Sequence, residues 1–189
     1  MIHSKLVCNG QFSDAFDRPE SEELNYASME QTHSDKVLEV DKPGIYEADA
    51  LITKQKKLAL VVRTADCMPV LISDNEKIGV IHIGWKGLEN RIFFKTISKF
   101  NLPKLKISVG PHAKKCCYEV KEDLESRFKS YCIRDENKIY LDLSKEIRDF
   151  CKENKIDLEI AEVCTIENKK YNSYRRDKTK NRQKSKVWI

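Results

Sequence analysis

Between residues 50 and 85 the chain carries four short apolar runs, "ALIT" (50–53), "LALVVRT" (58–64), "PVLIS" (69–73) and "IGVIHIGW" (78–85), each four residues from the next. Runs this short, rich in Val and Ile, read as buried strands rather than helices. "SDNEK" (73–77) is a turn, so the last two runs are expected to pair as a hairpin. A chain that must bury several neighbouring strands needs a covering layer, which narrows the class to mixed α/β or α+β.

The flanking segments supply that cover. "LENRIFFKTISKF" (88–100) is amphipathic and predicts one helix packed on the sheet, and "KISVGP" (106–111) returns to strand. "EVKEDLESRFKSY" (119–131) and "LSKEIRDFCKENK" (143–155) predict two more helices, the second with Ser144 as N-cap and Glu146 in its first turn. "LEIAEVCTI" (158–166) predicts a late strand, and the acidic stretch from Glu20 to Glu30 a loop or short helix. With 189 residues, 40% of them apolar, and no internal repeat, a single domain over 1–189 is expected. No stretch approaches the ~20 apolar residues of a membrane span, and no basic start leads into an apolar leader. Seven scattered cysteines form no paired framework. The expectation is a soluble cytoplasmic chain with reduced thiols.

The net charge of +5 is local, because residues 168–189 hold nine Lys and Arg against Asp177 alone. A patch interleaved with Tyr171, Tyr174 and Trp188 could engage phosphate backbones. A solvated charged terminus is the simpler reading, so nucleic-acid binding is not expected, and part of the tail could face an anionic small molecule.

In "IGVIHIGW", alternation puts Ile78, Val80 and His82 on one face and Ile81, Ile83 and Trp85 on the other. A histidine among apolar residues needs a hydrogen-bond partner or a metal, since an unsatisfied buried polar group costs ~1–3 kcal/mol. Taken alone, a hydrogen-bonded core histidine suffices. Gly84 and Gly87, around Trp85 and Lys86, mark a close turn into a helix whose first amides favour anions. Cys67 reads as a packing residue, a nucleophile or a metal ligand, and His33 in "QTHSDKV" (31–37) as a loop histidine. Together His33, Cys67 and His82 offer two imidazoles and one thiolate, a set that suits tetrahedral Zn2+ with an open fourth position. Their spacing follows no CxxC or HExxH regularity.

Six motifs in order, "QTHSDKV", "EADALIT", "TADCMPVLI", "GVIHIGWKG", "SVGPHAKKCCYEV" and "SYRRD", resemble the YfiH-type family, also called polyphenol oxidase or laccase-domain proteins and described as purine nucleoside phosphorylases. The likeness runs from about residue 31 to the end. It implies an α+β fold, a layered α/β/β/α arrangement with mixed β-sheets. It matches His33, Cys67 and His82 to the family's Q-x-H-G, D-C-x-P and H-A-G-W-R-G motifs, the metal-binding catalytic positions, and so implies Zn2+, with copper as the alternative. The implied reaction is phosphorolysis of adenosine, inosine and 5'-methylthioadenosine to a free base and ribose 1-phosphate, with adenosine deamination besides. The implied partners are a small-molecule nucleoside and phosphate. Deamination needs a carboxylate that moves protons beside an activated water, and Asp66 is the candidate. Phosphorolysis needs cations that hold phosphate in line with the ribosyl centre, and Lys86, Arg175, Arg176 and Arg182 are the candidate clamps. Cys116, Cys117 and His112 are expected near the pocket, whereas Cys132, Cys151 and Cys164 are expected to pack as small hydrophobes.

The chain departs from the family pattern in several places. "LVCNGQFSDAFDRPESEE" does not match the Gly-rich T-R-x-G-G-x-S segment, so the chain looks shortened before His33. Ser34 stands for a glycine, "HIGWKG" for H-A-G-W-R-G, and Asn181–Arg182 for glycine-arginine. Four histidines without a His-x-His pair do not support a multicopper oxidase, which leaves copper-dependent polyphenol oxidation only as a single-copper alternative. The family's fold is grouped with a deamidating toxin domain that uses a Cys/His pair. By that analogy Cys67 could be a thiolate activated by His82, in a cysteine hydrolase or amidase acting on cell-wall precursor peptides. A metal-stabilised binding module without turnover is a third reading.

Overall fold

The computed structural model describes residues 1–16 and 25–189. Their strands, numbered in chain order, form two six-stranded sheets and one small sheet. The first sheet runs, in spatial order, β1 (Ile2–His3), β2 (Gln11–Phe12), β15 (Gln183–Val187), β7 (Leu58–Thr64), β3 (Asn25–Glu30) and β5 (Gly44–Glu47). The second runs β14 (Asp157–Ile160), β10 (Lys106–Val109), β8 (Met68–Ser73), β9 (Ile78–Ile83), β6 (Ala50–Thr53) and β4 (Val37–Glu39). The third joins β11 (Glu119–Val120), β13 (Lys138–Leu141) and β12 (Cys132–Asp135). Both large sheets are mixed: β3 lies parallel to β5 and β7, while β15 pairs antiparallel with β7. The hairpin expected across "SDNEK" is present, with Met68 opposite Ile83 and Ser73 opposite Ile78. The class is the mixed-sheet α+β arrangement expected from the sequence.

Strand alternation builds two cores. β9 sends Ile78 and Val80 into the space between the large sheets and Ile81 and Ile83 to the other face. β6 and β8 divide in the same way, Leu51 and Leu71 facing inward, Ala50, Ile52, Val70 and Ile72 outward. Ala27 and Met29 of β3 and Leu60 and Val62 of β7 complete the inter-sheet core. The outer core takes Leu88 of α1 (Trp85–Glu89), Ile92, Phe93 and Ile97 of α2 (Ile92–Ile97), Leu124 of α3 (Glu122–Arg127), and Ile147 and Cys151 of α4 (Lys145–Asn154). Burying each large apolar side chain stabilises by ~1.5–3 kcal/mol, enough to fix the register of the buried strands β6 to β9 against a face-inverting slip.

Several local expectations are corrected. The helix over 88–100 is two pieces, because Arg91 takes a left-handed φ of 61° and lies over the Phe94 ring while pairing with Glu146 at 3.1 Å. The 119–131 helix keeps only the six residues of α3, since Glu119 and Val120 pair with β13 instead. Ser144 makes no side-chain cap bond: its Oγ donates to Asp142 and accepts from Arg148. The late strand ends at Ile160. Of the Glu20 to Glu30 stretch, Asn25–Glu30 is strand β3, and residues 20–24 lie outside the described residues. The basic tail keeps most of its cations exposed, as expected, but it is not an unstructured terminus. Its last part is β15, held between β2 and β7, with Gln183, Ser185 and Val187 buried and Lys184 exposed.

Candidate metal centre

The inward rows that make the inter-sheet core end in polar residues at one edge. Continuing β9 beyond Val80 gives His82, β7 beyond Val62 gives Thr64, and β3 beyond Met29 gives Gln31. Reading β6 back from Leu51 gives Asp49, and β8 back from Leu71 gives Pro69 and then Cys67. Because β6 and β8 both run antiparallel to β9, these ends meet. His33 follows Gln31 in the loop after β3. Ligand atoms of His33, Cys67 and His82 lie within 4.8 Å of one another, with His33 Nε2 3.7 Å from Cys67 Sγ. Gly84 permits this approach, since a Cβ there would stand 3.0 Å from Cys67 Sγ and 3.2 Å from the His33 ring.

Asp49 positions two of the three. Fully buried, it accepts at Oδ1 from His82 Nδ1 at 2.7 Å and from the His33 amide at 3.2 Å. Its Oδ2 accepts from the amides of Thr32 and Ser34 and from the Ser34 hydroxyl. His33 has a left-handed φ of 61°, which wraps successive amides round the carboxylate as a nest. Burial alone would raise the Asp49 pKa, but the bonds from His82 and Ser34 hold it below the usual carboxylate range. With Nδ1 committed to Asp49, His82 has Nε2 left for the site. Asp49 lies in "EADALIT" and had no role assigned from sequence. The available signal was an aspartate on the inward row of an otherwise apolar strand.

Burial disfavours a charged Cys67, yet the charge of His82 and hydrogen bonds from His33 and His82 bring its pKa down to about 6. His82 is raised to about 9: burial opposes its charge, and the Cys67 thiolate and Asp49 outweigh burial. A thiolate and two imidazoles, one of them oriented by a carboxylate, fit a single Zn2+ or copper ion.

These residues line a cavity of about 480 Å³ together with Gln31, Arg63, Thr64, Ala65, Tyr174, Lys180 and Arg182. Three cationic residues, Arg63, Lys180 and Arg182, are among the lining residues, the Arg63 guanidinium also donating to the Met29 carbonyl at 3.0 Å, and no carboxylate among the described residues lines it. Of the expected clamps, Arg182 is in the wall, its guanidinium braced on the carbonyls of Thr179 and Asn181. Arg176 is a correction: its guanidinium is spent on the carbonyls of Thr165, Ile166 and Tyr171 and on Asp177. Arg175 donates to the Glu119 carbonyl and stacks 4.8 Å from the Tyr118 ring, while Lys86 lies over Trp85; neither is among the lining residues. Asp66 is also a correction. Only 4% exposed, it accepts from Thr165 Oγ1 at 2.8 Å and from the Arg175 amide at 2.7 Å, so it braces loops instead of facing the cavity. Its φ of 84° turns the side chain away from the Cys67 row. Arg63 and Lys180 were missed: one is the charge in "LALVVRT", the other lies in the segment read as solvated. His112, Cys116 and Cys117 do not line this cavity. Burial lowers the His112 pKa to about 4, and its Nδ1 donates to the Gly110 carbonyl.

Two stacked mixed sheets with a Cys/His donor set and a basic cavity at their common edge define a mixed-sheet α+β protein with a single candidate metal centre in that cavity. The chain belongs to the multi-copper polyphenol oxidoreductase laccase family, whose model matches residues 11–189. It is 37% identical over 166 residues to a purine nucleoside phosphorylase of Aquifex aeolicus, covering 84% of this chain and 80% of that one. It is 41% identical over 165 residues to one from Clostridium acetobutylicum, covering 79% and 70%. A solved structure from Neisseria meningitidis matches with a TM-score of 0.77 and 28% identity over 88% of this chain and 75% of that one. The YfiH protein of Bacillus licheniformis, 23% identical with a TM-score of 0.78, shares the fold over 87% and 74%. The family read from six motifs is thereby shown. Among the described residues no helix is long and apolar enough to cross a membrane.

Proposed function

We propose that this chain is a metal-dependent purine nucleoside phosphorylase that takes adenosine, inosine or 5'-methylthioadenosine with phosphate to the free base and ribose 1-phosphate. The observation that carries the reading is the His33, Cys67 and His82 set opening into a cavity whose wall holds Arg63, Lys180 and Arg182. Its volume of about 480 Å³ suits a nucleoside with a phosphate beside it. The Aquifex and Clostridium relatives are named purine nucleoside phosphorylases, which supports phosphorolysis of a purine nucleoside.

In phosphorolysis a phosphate oxygen bonds to C1' of the ribose as the C1'–N9 bond breaks. The electron pair leaves with the purine, which takes up one proton. Arg182, Lys180 and Arg63 hold the phosphate and neutralise its charge, so that it approaches the ribosyl centre already oriented. Tyr174, half-exposed at the cavity, offers a ring face to the base. His33, Cys67 and His82 would hold the Zn2+ or copper ion, which supplies Lewis acidity when bound. Asp49 keeps the His82 ring and the His33 backbone from reorganising during the reaction. Adenosine deamination is part of the proposal as a secondary activity. With Asp66 engaged elsewhere, its protons would come from water.

One observation favours a second reading. Cys67, His82 and Asp49 also stand as nucleophile, base and orienting acid, with the thiol pKa at about 6, as in a cysteine hydrolase or amidase. Copper-dependent polyphenol oxidation has less support, because only His33 and His82 among four histidines line the cavity. The deciding experiment follows adenosine cleavage with and without phosphate, after chelation, and after Zn2+ return. Ribose 1-phosphate formed only with phosphate, lost on chelation and restored by Zn2+, is the expected result. Cleavage that ignores chelation but stops on thiol alkylation would contradict the metal-dependent reading and point to Cys67 as the nucleophile.

A further inference from the structure

A second group of soft donors gathers outside this cavity. Cys116, Cys117, Cys164 and Glu167 bring their ligand atoms within 4.8 Å of one another. The three thiols are free, and Cys117 Sγ stands 3.3 Å from Cys116 Sγ. Cys164 is buried whereas Cys116 and Glu167 are exposed, so an ion has an entry path to a partly dry site. Cys164 and Glu167 are three residues apart on one turn, a separation within the range that places two ligands on one ion in metal knuckles. The Cys164 sulfur accepts from the Lys114 amide at 3.5 Å. Cys164 was expected to pack as a small hydrophobe, and this polar contact does not belong to that role.

We propose that Cys116, Cys117, Cys164 and Glu167 form a second metal site that binds one Zn2+. Four protein donors complete a tetrahedron and leave no open position, the pattern of a structural site rather than a catalytic one. Three sulfurs and one carboxylate select a borderline-soft divalent ion over Mg2+ or Ca2+, which take oxygen shells. The fold gives this ion a task. Cys164 bridges to His112, and the Thr165 amide bonds the His112 carbonyl at 3.1 Å. Thr165 Oγ1 in turn holds Asp66, the neighbour of Cys67. An ion tying Cys116 and Cys117 to Cys164 would clamp the two loops that brace Asp66 behind the first site.

The test uses metal alone and does not depend on the phosphorylase reading. Cys67→Ala removes the only sulfur of the first site, so any thiolate-to-cobalt charge-transfer band in that reduced, untagged chain reports the second. The expected result is one Co2+ per chain with such a band, displaced by Zn2+. The band should fall by about a third when Cys116→Ser is added, since one of three sulfur ligands is gone. Adding Glu167→Gln instead should keep the band and weaken affinity roughly 10-fold or more. Both positions are exposed, so circular dichroism can confirm that these variants stay folded. No thiolate band in the reduced Cys67→Ala chain, a full band retained with Cys116→Ser, or a disulfide among the three cysteines that persists under reductant would overturn the proposal.

Discussion

Asp49 governs two of the three candidate ligands through different parts of each, the ring of His82 and the backbone of His33. Asp49→Asn keeps the size but removes the charge that the nest and His82 Nδ1 are built around. Metal affinity and phosphorolysis should fall roughly 10–100-fold, the usual cost of losing a carboxylate that orients a ligating histidine. A competition titration with a zinc-binding dye measures it, and unchanged affinity would show that the nest alone holds the site. The sequence made the three candidate ligands legible because each stands in a recognisable motif. Asp49 was not legible, because most of its partners are amides of residues 32–34, and no side-chain spacing encodes a backbone nest. Asp66 is different: strand alternation next to Cys67 already allows it to point away, and its bonds to Thr165 and the Arg175 amide show that it does.

At the scale of elements, α4 carries a testable cost. Glu146, 5% exposed in its first turn, faces Arg91 of the broken α1–α2 segment at 3.1 Å. Burial raises its pKa from 4.5 to about 6, with Arg91 offsetting part of the rise. A raised folded-state pKa means that the folded chain holds this proton more tightly than the unfolded one. Its stabilising contribution is therefore full below pH 4.5 and lost as pH rises through about 6. Glu146→Gln should match the parent near pH 4 and exceed it by about 2 kcal/mol at pH 8, read from urea unfolding at both values. A difference that does not change with pH would contradict this. The same contact explains why the break between α1 and α2 escaped the sequence. Leu88, Ile92, Phe93 and Ile97 keep helical spacing across it, and the break depends on Arg91 meeting a residue 55 positions away.

The whole molecule is a pair of sheets whose inward rows are apolar along most of their length and polar at one edge. Four of the contributing strands were legible as apolar runs between 50 and 85, and their alternation correctly split Ile78 and Val80 from Ile81 and Ile83. β15 was not, since "QKSKV" has one apolar residue and is a strand because β2 and β7 leave a gap for it. Removing residues 183–189 should expose both neighbouring edges, remove buried Val187 and abolish cooperative thermal unfolding. Arg182→Ala, which touches only the cavity and local carbonyls, should leave stability within ~0.5 kcal/mol while raising KM for phosphate more than it changes kcat. Retained cooperative melting in the truncated chain would mean that the sheet closes without its C-terminal strand.

The most direct measurement is metal content per chain, taken together with the rate of phosphate-dependent ribose 1-phosphate release, for the unmodified protein and for Cys67→Ala. The variant is expected to lose one ion per chain and the phosphorolysis with it. A variant that loses the ion and still releases ribose 1-phosphate, or an unmodified protein fully active without metal, would contradict it.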